Sequence, residues 1–312
     1  MRTALLFPGQ GSQSVGMGKE LYDTFLEAKE VFQEVDQALK QNLSKIIFEG
    51  DQETLTLTSN TQPALMTVSI AVMRVLEKQG KLNISKDISA SAGHSLGEYS
   101  ALAAAKSFSL TDTAQLLRTR GNAMQESIPS GKGGMVALLG TEIEQAESIS
   151  KEANNFGICN IANDNGAGQI VLSGEISAIH YILENYKIFG IKRAVKLPVS
   201  APFHSGLMEN AEKIMEQALS ASKINLPLIP IIANISVKAY SSAVEIKENL
   251  IKQVCGRVRW RETMHTLVND YNIERFIEIG SGKVLSTIAT KMFPEYKSLS
   301  ILSLQDIEEF LK

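Results

Sequence analysis

Apolar residues run along this chain in two rhythms. Short unbroken runs at Thr3 to Phe7, Ile88 to Ala92, Ile229 to Ala233 and Arg275 to Ile279 read as strands, the first two buried on both faces. Elsewhere Leu21, Phe25, Ala28, Phe32, Val35 and Leu39 recur at steps of three and four, which predicts one amphipathic helix. The stretch from Gln62 to Leu76 is apolar nearly all round and predicts a helix buried in the core, opened by Pro63. Further helices are predicted over Tyr99 to Ala105 and through Leu116 to Met124, the latter capped around Leu110-Thr111-Asp112. Others are predicted over Leu207 to Ala221, Ala243 to Val254 and Arg261 to Asp270. Strands alternating with helices imply an α/β fold, a parallel sheet with helices on both faces.

The middle of the chain has a different order. After a hinge-like stretch, Ile128 to Gly134, come a strand at Met135 to Leu139 and a helix at Glu142 to Asn154. Strands follow at Ile158 to Ala162 and Gln169 to Ser173, around a turn at Asn163-Asp164-Asn165-Gly166. A helix at Ile176 to Phe189 and a strand at Arg193 to Leu197 complete β-α-β-β-α-β, the ferredoxin-like unit. The expected organisation is a discontinuous large domain, 1-128 and 199-312, carrying an inserted small subdomain, 132-198.

Composition narrows the class without naming it. The 312 residues are 44% hydrophobic and 21% charged, with a net charge of −3, so nothing suggests nucleic acid or an anionic membrane as partner. Cys159 and Cys255 have no paired or metal-ligand spacing and are expected to be free thiols. The apolar N-terminal run is too short for a signal peptide or a membrane span, and a cytoplasmic protein is expected. Two glycine-rich turns lack the spacing of nucleotide loops. Gly9-Gln10-Gly11 is not continued as G-x-G-x-x-G, and Gly280-Ser281-Gly282-Lys283 lacks the first glycine and the final Ser or Thr of a phosphate loop.

Chemistry enters at Gly93-His94-Ser95-Leu96-Gly97. Between a strand and a helix, G-x-S-x-G is the nucleophile-elbow pattern, a tight turn that presents the serine Oγ at the sheet edge. Taken alone it also fits an ordinary strand-to-helix turn. A serine hydroxyl needs a base to become nucleophilic. His94 lies within the elbow, its ring predicted to point away from the Ser95 side chain, and His180 sits mid-helix in the small unit. His265 suits the hydrolase order of serine, acid, histidine, but it too is mid-helix. His204, in a loop with Pro198 and Pro202 at the junction of the two units, is the better-placed candidate. No carboxylate adjoins it, and a backbone carbonyl can hold an imidazole tautomer instead. Arg120 shares a helix face with Leu116; facing inward, it would need an anionic partner.

Six motifs occur in order: Phe7-Pro8-Gly9-Gln10-Gly11-Ser12-Gln13, Gln62-Pro63-Ala64-Leu65, Gly93-His94-Ser95-Leu96-Gly97-Glu98-Tyr99-Ser100, Arg120-Gly121, Pro198-Val199-Ser200-Ala201-Pro202-Phe203-His204 and Glu278-Ile279-Gly280. Together they resemble the malonyl-CoA:acyl carrier protein transacylases and the acyltransferase domains of polyketide synthases. Gly166-Ala167-Gly168-Gln169 and Ser281 depart from that pattern, both in turns. The resemblance implies an α/β-hydrolase-like core with a ferredoxin-like insert. It implies Ser95 as nucleophile, His204 as base, the N–H groups of Gln10 and Leu96 as an oxyanion hole, and Arg120 as clamp for a malonyl carboxylate. The main-chain carbonyl of Gln253 would orient His204, and Phe203 would disfavour an α-methyl group. The implied substrate is malonyl-CoA and the implied partner an acyl carrier protein. No metal or redox cofactor, nucleic acid or membrane is expected, and a monomer is. A serine thioesterase, in which water resolves the acyl-enzyme, and a non-catalytic carrier-binding module are the rival readings.

Overall fold

The apolar runs assemble into one parallel sheet. In the computed structural model, which describes residues 1–80, 82–199 and 201–311, its strands are β1 (Thr3–Phe7), β2 (Ala90–Gly93), β7 (Ile231–Ile232), β8 (Arg275–Ile279) and β9 (Lys297–Ile301). Their order is β7-β2-β1-β8-β9, with every pair parallel and Phe7 opposite Gly93. β1, β2 and β7 are buried throughout, which is why they read as runs and not as alternations. One face packs on the helix Thr58–Lys78 and its neighbours, the other on the helices Trp260–Tyr271 and Val284–Met292. All strands point the same way, so the loops after β1, β2, β7 and β8 meet at one edge, where open α/β sheets place their ligands.

The small sheet takes the order β4-β5-β3-β6 from β3 (Gly133–Leu139), β4 (Cys159–Gly166), β5 (Gln169–Glu175) and β6 (Arg193–Lys196), all pairs antiparallel. The helices Ile143–Ala153 and Ile176–Asn185 share its apolar cluster. Counted along the insert and read from β6, this is the fourth, first, third and second strand, the ferredoxin-like arrangement. Among the places where the insert is held to the core, two stand out. Asp164 N donates to Val258 O at 3.0 Å and Val258 N to Ala162 O at 2.8 Å, while Arg261 pairs with Asp164 at 2.9 Å. At the other, a Cβ on Gly133 would lie 2.6 Å from Pro202, so that junction needs glycine.

Three expectations are corrected. The periodic stretch from Leu21 to Leu39 is two helices, Lys19–Thr24 and Leu26–Leu39, broken at Phe25, whose backbone is extended. Pro63 does not open its helix; it lies inside Thr58–Lys78, where burial on nearly every side outweighs the loss of one amide donor. Asn163, Asp164, Asn165 and Gly166 are not a turn but the end of β4, and the chain reverses at Ala167 and Gly168, both with positive φ. The side chains of Asp164 and Asn165 find partners across the interface to the large domain, Arg261 and His94, which composition cannot reveal. The C-terminal helix Val284–Met292, β9 and the helix Leu304–Leu311 have no counterpart among the expected elements. Cys159 is buried and Cys255 half-buried, both free. Among the described residues no helix is long and apolar enough to cross a membrane.

Candidate active site

At the end of β2 the chain must turn sharply from strand to helix. A Cβ on Gly93 would sit 1.9 Å from the Gly97 backbone, and one on Gly97 would sit 2.2 Å from Phe7 O, so both positions require glycine. Ser95 is held between them at φ 54° and ψ −111°, a conformation that L side chains rarely adopt. Asn234, fully buried just beyond β7, braces this strained residue from both sides. It accepts from Ser95 N at 2.8 Å and donates to Gly93 O at 2.8 Å.

Ser95 Oγ lies 2.8 Å from His204 Nε2 and 3.1 Å from Nη2 of Arg120. Nδ1 of His204 lies 2.8 Å from Gln253 O and 3.1 Å from Gly256 O. Both are carbonyls that only accept, so Nδ1 carries the proton and Nε2 presents its lone pair to Ser95. Burial, and next the charge of Arg120, push the His204 imidazole down to about 3, which leaves it neutral at ordinary pH. His204 also has positive φ, 57°, a second strained backbone in direct contact with the first. Ser200, in the same Pro198–His204 motif, lies outside the described residues.

Arg120 is 1% exposed on the helix Leu110–Glu126 and makes no ion pair among the described residues. Nη1 donates to Gln62 Oε1 at 2.9 Å and Nη2 to Gln253 Oε1 at 2.8 Å, while Nε has no partner among the described residues. Burial lowers its pKa, and the guanidinium remains a desolvated cation held by neutral atoms. Such a group is strongly poised for an anion.

The space in front of these groups is a cavity of about 160 Å³ whose walls include Gln10, Ser95, Leu96, Arg120, Phe203 and His204. The N–H groups of Gln10 and Leu96 have no backbone acceptor among the described residues. Leu96 opens the helix Leu96–Ala104; Gly97 N and Glu98 N already donate to His94 O and Ser95 O, which leaves the Leu96 amide at the end where the helix dipole favours negative charge. Gln253 stands behind the cavity wall, joined to His204 through its carbonyl and to Arg120 through its side chain. Residues from five separate stretches of the chain, at Gln10, Ser95–Leu96, Arg120, Phe203–His204 and Gln253, thus converge on one place. His94 turns its Nε2 to Asn165 Oδ1 at 2.8 Å and packs on Trp260, so it braces the elbow against β4. His180 and His265 are exposed and lie outside this cavity.

The acyl transferase domain family model matches residues 4–304. The chain is 43% identical over 308 residues to the malonyl CoA-acyl carrier protein transacylase of Bacillus subtilis (strain 168), covering 98% of this chain and 95% of that protein. The chain belongs to the malonyl-CoA:acyl carrier protein transacylase family. Among solved structures, the acyl-carrier-protein-S-malonyltransferase of Bartonella henselae is 51% identical with a TM-score of 0.96, covering 100% of this chain and 98% of that one. Another relative of this transacylase family, a malonyl-transacylase in complex with a type II polyketide synthase acyl-carrier protein, is 33% identical with a TM-score of 0.93. It covers 100% of this chain and 99% of that one.

Several site groups had no signal in the sequence reading. Asn234, Tyr240 and the carbonyl of Gly256 reach the site only through the fold, and Gln62 was part of a motif without a role. Glu98 is the fullest case. It is 1% exposed beneath the elbow, and burial pushes its carboxyl up to about 7 against hydrogen bonds from Tyr240 and Gln253. No group of three or more His, Cys, Asp or Glu among the described residues could hold a metal ion.

Proposed function

We propose that this protein transfers the malonyl group from malonyl-CoA to the phosphopantetheine thiol of an acyl carrier protein through a seryl acyl-enzyme. The observation that carries the reading is the placement of one neutral base and one desolvated cation on the same serine oxygen, at 2.8 and 3.1 Å. In the first half-reaction Ser95 Oγ attacks the thioester carbonyl carbon while His204 Nε2 takes the hydroxyl proton. The carbonyl oxygen, now an anion, is stabilised by the N–H groups of Gln10 and Leu96. The C–S bond then breaks, and His204 returns its proton to the departing thiolate. In the second half-reaction the carrier thiol gives its proton to His204 and attacks the acyl carbon; the C–O bond breaks and Ser95 is reprotonated.

Arg120 supplies the acyl preference. A guanidinium fork pairs with the distal carboxylate of a malonyl group, and an acetyl group leaves that charge without a partner. Phe203 on the cavity wall disfavours a branched α-carbon. In this reading residues 1–128 and 199–312 form the catalytic unit and 132–198 the smaller one. Every group invoked comes from one chain, in keeping with a monomer, and the enzyme works in the cytoplasm. A thioesterase shares the elbow, but a desolvated cation beside the nucleophile favours an anionic acyl chain. The test is intact mass after incubation with malonyl-CoA: wild type gains one malonyl group, Ser95→Ala gains none, and adding carrier protein discharges the label onto its thiol. Discharge to free malonate at the same rate without carrier would point to the thioesterase.

A further inference from the structure

A buried guanidinium ordinarily pairs with a carboxylate. Arg120 instead meets the amide oxygens of Gln62 and Gln253 and the hydroxyl of Ser95. The buried carboxylate on this side of the site, Glu98, is one residue removed, with the Gln253 amide between the two charges. Each end of that amide faces a group of fixed polarity. Nε2 donates to Ser95 O at 3.0 Å, a carbonyl that only accepts, and to Glu98 Oε2 at 2.6 Å, an oxygen that also accepts from Asn234 N, while Oε1 accepts from Arg120 Nη2 at 2.8 Å. A half-turn of the amide would set N–H against the guanidinium and oxygen against the carboxylate, so only one orientation is allowed. Glu98 is itself fixed by the Tyr240 hydroxyl and by Asn234 N.

We propose that the side-chain amide of Gln253, oriented by Glu98, is a positioning group that aims Arg120 into the cavity without neutralising it and so sets the preference for an anionic acyl chain. The inference rests on the reading of Arg120 given above. It assigns two separable tasks to one residue: the main-chain oxygen serves His204, the side chain serves Arg120. A carboxylate at this position has nearly the same shape but would cancel the cation's charge. A thioether fills the volume and offers Arg120 only a weak acceptor.

The measurement is the ratio of malonyl to acetyl transfer from coenzyme A thioesters, taken within each purified variant. Both acyl groups use Ser95, His204 and the same main-chain carbonyl, so a loss through those groups cancels in the ratio. Gln253→Glu should lower the ratio at least about tenfold, and Gln253→Met by about threefold or more. A ratio within about twofold of wild type in both folded variants overturns the proposal and leaves the amide as packing. Should Gln253→Glu fail to fold, with its new carboxylate beside Glu98, Gln253→Met decides alone by the same criterion. Arg120→Ala, measured in parallel, separates the two levels. If it lowers the ratio while the Gln253 variants do not, only the positioning role falls. If it leaves the ratio unchanged, the reading of Arg120 falls with it.

Discussion

Positive charge on this molecule is built in two opposite ways, in the cavity and on the small sheet. Arg120 is a single cation, 1% exposed, with its orientation set by three hydrogen bonds. Lys192, Arg193 and Lys196 lie exposed on or beside β6, the edge strand of the small sheet, with exposed Lys187 nearby. None of these four makes an ion pair among the described residues. β6 leads straight into Leu197, Pro198 and Val199 on the cavity wall. A desolvated, oriented charge discriminates between ligands, because leaving it without a partner is costly. A solvated strip is screened and acts on encounter more than on final affinity. Charge that selects the acyl group is therefore buried, and charge suited to guiding a protein partner is left in water.

The deepest break of that comparison removes the chemistry both regions serve. His204→Ala should slow acylation of Ser95 by about 10²–10⁴-fold, the usual contribution of a general base. The pH profile sharpens the assignment. His204 acts unprotonated and is held down to about 3, so kcat/KM for malonyl-CoA should show no limb at the ordinary imidazole value; the base is lost only as pH falls through about 3. A limb near pH 7 would belong to Glu98, which meets Tyr240, Gln253 and Asn234 N, feels the charge of Arg120 beyond the Gln253 amide and adjoins Tyr99, and it should disappear in Glu98→Gln. An imidazole limb that persists in Glu98→Gln contradicts a buried neutral base.

Arg120→Ala attacks the buried side of the comparison. Truncating one partner of a desolvated charge pair costs about 2–5 kcal/mol. At about 1.4 kcal/mol per tenfold, malonyl transfer should fall about thirtyfold to several-thousandfold. Acetyl transfer should be spared or improved, since it never used the charge. Steady-state rates on both thioesters check this, and an equal loss on the two would place the clamp elsewhere.

What the sequence disclosed follows the same division between local and distant. The elbow was legible because its constraint is local: Gly93 and Gly97 are needed by their immediate neighbours, and the pattern names the serine. The parallel core was legible because its strands are buried on both faces and carry unbroken apolar runs. His204 could be favoured but not proved, since its orienting carbonyls lie 49 and 52 residues away. The Asn163–Gly166 segment misled for the opposite reason. Its residues are turn formers by composition, yet Asp164 pairs with Arg261 and Asn165 with His94, contacts that hold it in β4. Glu98 stood within a recognised motif, but its partners Tyr240, Asn234 and Gln253 lie 136 to 155 residues on, beyond any periodic signal.

Charge reversal on β6 carries the smallest expected effect and addresses the solvated side. For an acidic carrier protein, the exposed Lys192 and Arg193 on and beside β6 are the side chains to reverse. Lys192→Glu with Arg193→Glu should raise the KM for carrier protein by about two- to tenfold at low ionic strength and leave kcat in place. Acceptance by a free, uncharged pantetheine thiol should be unchanged, because that acceptor has no acidic surface to steer. Salt supplies the internal control: at about 1 M the screening length falls to about 3 Å, and the variant should converge on wild type. An unchanged KM at low salt would reduce the strip to an ordinary solvated face. An equal loss with the free thiol would mean that the substitutions disturb Leu197 to Val199 on the cavity wall, and that docking is not what these side chains contribute.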